Sequence, residues 1–277
     1  MTGPSERIPP AEHGARLRDL PPPPPLRPAR FGEQARTGEP PPALFLDFDG
    51  TLVEIADHPD AVIVPDVLPG LLTRLSDCLD GRLALITGRS IAALESHLGP
   101  LSVAVAGSHG GEFRPAGHAM AEALAAPLPA RVIAELTAFA QDNGGLLVEP
   151  KPFSIAVHYR RHPEALAGLI ARAETVGREL GLTLKHGKQV IELAMPGSDK
   201  GSAVTQFMEM PLFAGSRPIF VGDDVTDEDA FAAAARLGGG GVLVGPLRET
   251  RARWRLGGVA QVHHWLEAAL IEESRPA

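Results

Sequence analysis

Five short apolar runs in this chain lack polar alternation: ALFLDF (43–48), LALIT (83–87), VAVAG (103–107), PIFVG (218–222) and GVLVG (241–245). A strand apolar on both faces must be covered on both faces, as in a parallel sheet layered with helices. Helical spacing fills the gaps between them, in LLTRLSDCLD (71–80), SIAALESHL (90–98), DKGSAVTQFME (199–209) and EDAFAAAARL (228–237). Strand and helix in alternation predict βαβ units around a parallel sheet.

The middle of the chain has another rhythm. LPARVIAELTAFAQDN (128–143) reads as a helix, and LLVEPK (146–151) with FSIAVHYR (153–160) as a strand pair around Pro152. PEALAGLIARAETVGREL (163–180) is a second helix, stopped by Gly181, and LTLKHG (182–187) with QVIELAM (189–195) a second strand pair. This predicts an α/β architecture: a Rossmann-like core over 42–121 and 197–271, with an inserted αββαββ layer over 122–196. Residues 1–41 carry PPPPP (21–25) and PPP (40–42) and read as a disordered arm favouring polyproline II.

Two acidic stretches end apolar runs. DFDGT puts Asp47 and Asp49 just past the first run, and GDDVTDEDAF puts Asp223 and Asp224 past the fourth. A strand-end turn explains either stretch alone. A calcium loop does not, because the sixth and twelfth positions from Asp47 hold Leu52 and His58. Asp227 to Asp229 fit an acidic helix start, with Thr226 and Asp229 as a capping box. In a parallel sheet all carboxyl ends lie on one edge, where ligands bind. Asp47, Asp49, Asp223 and Asp224 would crowd there, and Mg²⁺ is the natural neutraliser, with room left for a phosphate. Thr87, before Gly88 and a helix start, and Lys200, in the first turn of its helix, suit a phosphate; an exposed Lys200 is the plain alternative.

The ordered set DFDGT, Thr87, Lys200, GDDVTD resembles the haloacid dehalogenase-like phosphohydrolase superfamily, in its members with a type C2 cap. TGRS (87–90), GSHGGEFR (107–114), VEPKPFSIAVHYR (148–160) and HGKQVIELAMPGSDKG (186–201) are similar to the trehalose-6-phosphate phosphatases within it. That resemblance spans about 43–268 and leaves the arm unexplained. It implies Asp47 as nucleophile, forming an aspartyl-phosphate, and Asp49 as general acid and then base. Thr87 and Lys200 would bind phosphoryl oxygens. Mg²⁺ would be held by Asp47, the backbone carbonyl of Asp49 and Asp223, with Asp224 holding metal-bound water. Trehalose 6-phosphate would be read by Arg89, His109, Glu149, Lys151, Arg160, Lys188 and Glu192. Pattern alone leaves the polar faces of the strand pairs as solvated sheet. Phosphatases of sucrose phosphate or a glucosyl-polyol phosphate share the same core, and a non-catalytic sugar-phosphate sensor is the reading from another class.

The formal charge of −8 is no footprint for nucleic acid. No apolar run approaches the length of a membrane span, and the first residues lack a signal-peptide core. One cysteine, Cys78, cannot form an intrachain disulfide, so a reducing, cytoplasmic setting is expected; the sequence does not reveal the oligomeric state, and a monomer is the expectation.

Overall fold

The computed structural model of the chain describes residues 19–27, 38–123, 126–187, 189–196 and 199–273. The chain runs through β1 (Pro42–Leu46), α1 (Leu68–Cys78), β2 (Leu83–Ile86), α2 (Ile91–Leu98), β3 (Ala104–Gly107), β4 (Glu112–Arg114) and β5 (Glu122–Ala123). Then come α3 (Ala130–Asp142), β6 (Leu147–Pro150), β7 (Ser154–His158), α4 (Leu166–Leu180), β8 (Thr183–Gly187) and β9 (Val190–Ala194). It closes with α5 (Lys200–Glu209), β10 (Arg217–Gly222), α6 (Glu228–Arg236), β11 (Gly240–Val244), β12 (Trp254–Leu256) and α7 (Val259–Glu273).

The larger sheet has the order β12-β11-β10-β1-β2-β3-β4-β5, parallel from β12 to β3 and antiparallel at β4 and β5. Leu44, Leu46, Leu85 and Val221 point to one face and pack under α1, α2 and α7. Phe45, Ile86 and Phe220 point to the other, against Phe207 of α5 and Phe231 of α6. Period-two alternation of large apolar residues explains how one strand serves two cores. The smaller sheet, β6-β7-β9-β8, is antiparallel and has its own core with α3 and α4 through Val157, Ile191, Leu136 and Leu169. Among the described residues no helix is long and apolar enough to cross a membrane.

Three details depart from the sequence reading. Glu122–Ala123 pairs with β4 in the larger sheet, so these residues are not part of the inserted layer. The five apolar runs leave out β12, which pairs beyond GVLVG at the sheet edge; at three residues, β12 is too short for a clear periodic signal. The described part of the arm, 19–27, packs on the larger sheet, with Leu26 only 2% exposed. Apolar contact at every third residue was hidden in a proline run that carries no helix or strand period. The rest of the arm, 1–18 and 28–37, lies outside the described residues.

Candidate active site

Asp47 N–H donates to Val221 O at 2.9 Å, which continues the β1–β10 ladder one residue past the strand. The chain then turns tightly, with Gly50 N–H bonded to Val53 O at 2.7 Å and Leu52 N–H to Phe48 O at 2.8 Å. Gly50 adopts φ +78°, and a Cβ there would collide with the Asp223 carboxylate. A glycine is therefore required for the first acidic turn to meet the second. Register does the rest: Leu46 lies beside Val221, so Asp47 and Asp223 leave neighbouring strands at nearly the same height.

Carboxylate oxygens of Asp47, Asp223 and Asp227 lie within 4.8 Å of one another, and all three residues are buried. Lys200 begins α5 and is buried, not exposed. Its Nζ lies 2.8 Å from Asp47 and 2.6 Å from Asp227. Burial alone would lower the pKa of the ammonium, but Asp227 and Asp47 outweigh it and hold it above its ordinary range. Lys200 therefore stays charged. For Asp47, burial pushes the carboxyl well above the usual value; Lys200 opposes this, and Asp227 and Asp223 add to it. One cation among three buried carboxylates is a site that a hard divalent ion would suit, since the ion would offset the repulsion that raises Asp47.

Asp224 does not join this cluster. Its carboxylate accepts from Val225 N–H at 2.8 Å and caps the 3-10 turn Val225–Asp227. Asp227 completes that capping box by accepting from Asp224 N–H at 2.8 Å, so the box is Asp224 with Asp227 and not Thr226 with Asp229. Asp227, and not Asp224, completes the carboxylate cluster with Asp47 and Asp223. The only signal for it in the sequence was its spacing four residues from Asp223, which the helix-start reading explained equally well.

Asp49 turns to Arg89, which holds it through two hydrogen bonds at 2.7 and 2.8 Å. Arg89 is oriented in turn by His97 Nε2 at 3.0 Å and by the Phe48 ring, 5.5 Å below the guanidinium. Thr87 is buried at the end of β2, where its Oγ1 accepts from Arg89 N–H at 3.1 Å. His109 stands on a left-handed turn with φ +56° and is tied to the same strand end through Thr87 O at 2.9 Å.

Facing this edge is the β6–β9 sheet. Glu149, Ala156, Glu192 and Lys185 are successive cross-strand partners, so they share one face. All four line a cavity of about 680 Å³ whose floor includes Asp47, Lys200 and Asp223. Glu192 bonds to His109 Nε2 at 2.6 Å and Ser154 Oγ at 2.5 Å, with Lys151 at 3.4 Å. Burial would raise the Glu192 carboxyl, but His109, Lys151 and Ser154 bring it well below the usual range. Glu149 pairs with His158 at 3.1 Å. Arg160, two residues past the end of β7, reaches Asp57 of the larger unit at 2.6 Å. His109 Nδ1 is buried without a hydrogen-bond partner among the described residues.

Of the residues expected from the sequence, Asp47, Asp49, Arg89, His109 and Lys200 line the cavity from the larger sheet, as do Asp223 and Asp224. Glu149, Lys151, Arg160 and Glu192 line it from the smaller one. Thr87 does not line it, and Lys188 lies outside the described residues. The sequence reading missed Lys185 and Ala156. Strand alternation puts both on the Glu192 row, but only with the β7–β9–β8 register in hand.

A parallel sheet with acidic turns on its carboxyl edge, a buried helix-start lysine and an inserted αββαββ layer is the fold of haloacid dehalogenase-like hydrolases. One such hydrolase from Bacteroides thetaiotaomicron is similar at a TM-score of 0.56, over 83% of this chain and 97% of that one, with 17% identity. The trehalose-phosphatase family model matches residues 45–256, and the chain belongs to that family. It is 39% identical to the trehalose-6-phosphate phosphatase of Escherichia coli (strain K12) over 229 residues, 81% of this chain and 85% of that protein. Among solved structures, the C-terminal domain of the C. albicans trehalose-6-phosphate phosphatase is similar at a TM-score of 0.73 and 25% identity, over 83% of this chain and 93% of that one.

Proposed function

We propose that this chain hydrolyses trehalose 6-phosphate to trehalose and phosphate, the last step in making the disaccharide. The observation that carries the reading is one cavity with two unlike walls. On one wall Lys200 bridges Asp47 and Asp227, and on the other lie paired carboxylates and cations. The first suits a phosphoryl group. The second suits hydroxyls, each of which donates and accepts.

Asp47 attacks phosphorus in line, and the bond from phosphorus to the sugar oxygen breaks as the aspartyl-phosphate forms. Asp49 gives its proton to the departing oxygen. For that step its carboxyl leaves the two-point contact with Arg89. Water then attacks phosphorus, Asp49 takes a proton from it, and the Asp47–phosphorus bond breaks. Lys200 holds phosphoryl oxygens through both steps, and Thr87 supports the strand end beside them. Asp47, Asp223 and the carbonyl of Asp49 fit Mg²⁺, with Asp224 or Asp227 beside them. When bound, the ion supplies positive charge for the phosphoryl oxygens. The layer from α3 to β9 acts as a cap that keeps bulk water from the acyl-phosphate. Glu149, Lys151, Arg160, Lys188, Glu192 and His109 read the sugar. A chain with one cysteine acting on a soluble sugar phosphate fits a reducing, cytoplasmic setting.

The test is phosphate release from trehalose 6-phosphate, sucrose 6-phosphate and glucose 6-phosphate, with and without Mg²⁺. Release from the trehalose ester well above the other two, and only with the ion, is expected. Equal rates on all three would remove the sugar assignment and leave a general sugar phosphatase.

A further inference from the structure

The proline run takes no part in the site, yet residues 19–27 are anchored at the far edge of the larger sheet. Their burial repeats every three residues: Leu20 is half-buried, Pro23 and Leu26 are buried, and the residues between are exposed. Three residues per turn is the repeat of polyproline II. The carbonyls taken up by the body of the protein are also three apart. Pro21 O accepts from Arg255 N–H at 3.0 Å, and Pro24 O accepts from the Trp265 indole N–H at 2.9 Å. Asp19, ahead of the run, meets the Arg255 guanidinium at 2.7 and 2.8 Å. Leu20 packs on the α5–α6 side of the sheet and Leu26 on the α1–α7 side. The segment therefore crosses the outer edge of β12, whose other side is paired with β11.

We propose that β12 and α7 form a polyproline-reading surface, and that residues 19–27 are its intramolecular ligand. A polyproline II segment is already extended, so little chain entropy is lost on docking. Its carbonyls stay free for donors, which Arg255 and Trp265 supply at the spacing of one turn. The Arg255–Asp19 pair sets the direction, because the acidic residue lies at one end only. The chemistry recognised is an acidic residue followed by apolar residues at every third position, as in D-L-P-P-P-P-P-L. Docking also caps a β-edge that would otherwise offer an unpaired backbone N–H to another chain.

The experiment uses the full chain and the peptide of residues 19–27 as probe. Amide exchange at Arg255 is compared in the wild type, Asp19→Ala, and the double variant Pro23→Gly with Leu26→Ser. The wild-type amide is expected to be protected and the peptide not to bind. The double variant is expected to exchange at Arg255 roughly ten-fold faster or more, with β1 amides still protected, and to bind the peptide with recovery of protection. Asp19→Ala, which removes the exposed ion pair with Arg255 and leaves the proline contacts, is expected to fall between. If the double variant also loses β1 protection, Asp19→Ala alone decides. Unchanged Arg255 exchange in folded variants, or no peptide binding to a folded double variant, overturns the proposal.

Discussion

Lys200 opposes the dipole of the helix it begins, and its burial would be costly without the two carboxylates that hold it. Asp47→Asn removes one of them but leaves Asp227, and it relieves repulsion among three crowded acids. Phosphate release should fall roughly a thousand-fold or more, with a melting temperature equal to the wild type or higher. A folded Asp47→Asn protein with normal turnover would remove Asp47 as nucleophile. Glu192 is the acidic counterpart in the cap. Its folded pKa lies below the ordinary carboxylate value, so its contribution to stability is present above about pH 4.3 and is lost as pH falls through the lower folded value. The wild-type advantage in melting temperature over Glu192→Gln should therefore be full at neutral pH and shrink below about pH 4. An advantage that grows in acid would contradict the assigned charge state.

At the scale of elements, the cap sheet sorts its residues by alternation. Val157 and Ile191 turn to α3 and α4, while Glu149, Ala156 and Glu192 turn to the cavity. Ala156 is the small residue between two carboxylates, so it leaves space where a sugar ring would lie. Ala156→Leu should raise KM for trehalose 6-phosphate roughly ten-fold or more while sparing a small aryl phosphate. Equal losses on both substrates would point to a misfolded sheet. Two helices start where the helical spacing begins, with Ser90 capping α2 through Ala93 N–H and Asp199 capping α5 through Ser202 N–H, so those starts were legible, whereas the box read at Thr226 and Asp229 was misplaced. The short strands β4, β5 and β12 were not legible, because two or three residues cannot display a period.

Across the whole molecule, two of the ion pairs between core and cap among the described residues differ in environment. His109–Glu192 is buried, whereas Asp57–Arg160 is exposed, with the Asp57 side chain 90% accessible. Solvent screening holds such a surface pair to about 1 kcal/mol at most. Asp57→Ala should accordingly change KM by less than about five-fold. Chelation of divalent ions should instead stop turnover altogether and reverse when Mg²⁺ is returned, read as phosphate release. Full activity in the presence of chelator would take the ion out of the scheme.

What the sequence determined by itself was local. Uninterrupted apolar runs had to become strands covered on both faces, and aspartates directly after them had to stand at the sheet's carboxyl edge. The two helix–hairpin repeats, with their period changing from 3.6 to 2, carried the cap in the same way. Which carboxylates meet was decided in three dimensions, by strand register and by a glycine without a Cβ. These put Asp227 rather than Asp224 against Lys200 and turned Asp49 to Arg89. The docked proline segment was likewise invisible, since its partners Arg255 and Trp265 lie more than two hundred residues away in the chain. Periodicity reports how a segment must face its surroundings; only packing decides what those surroundings are.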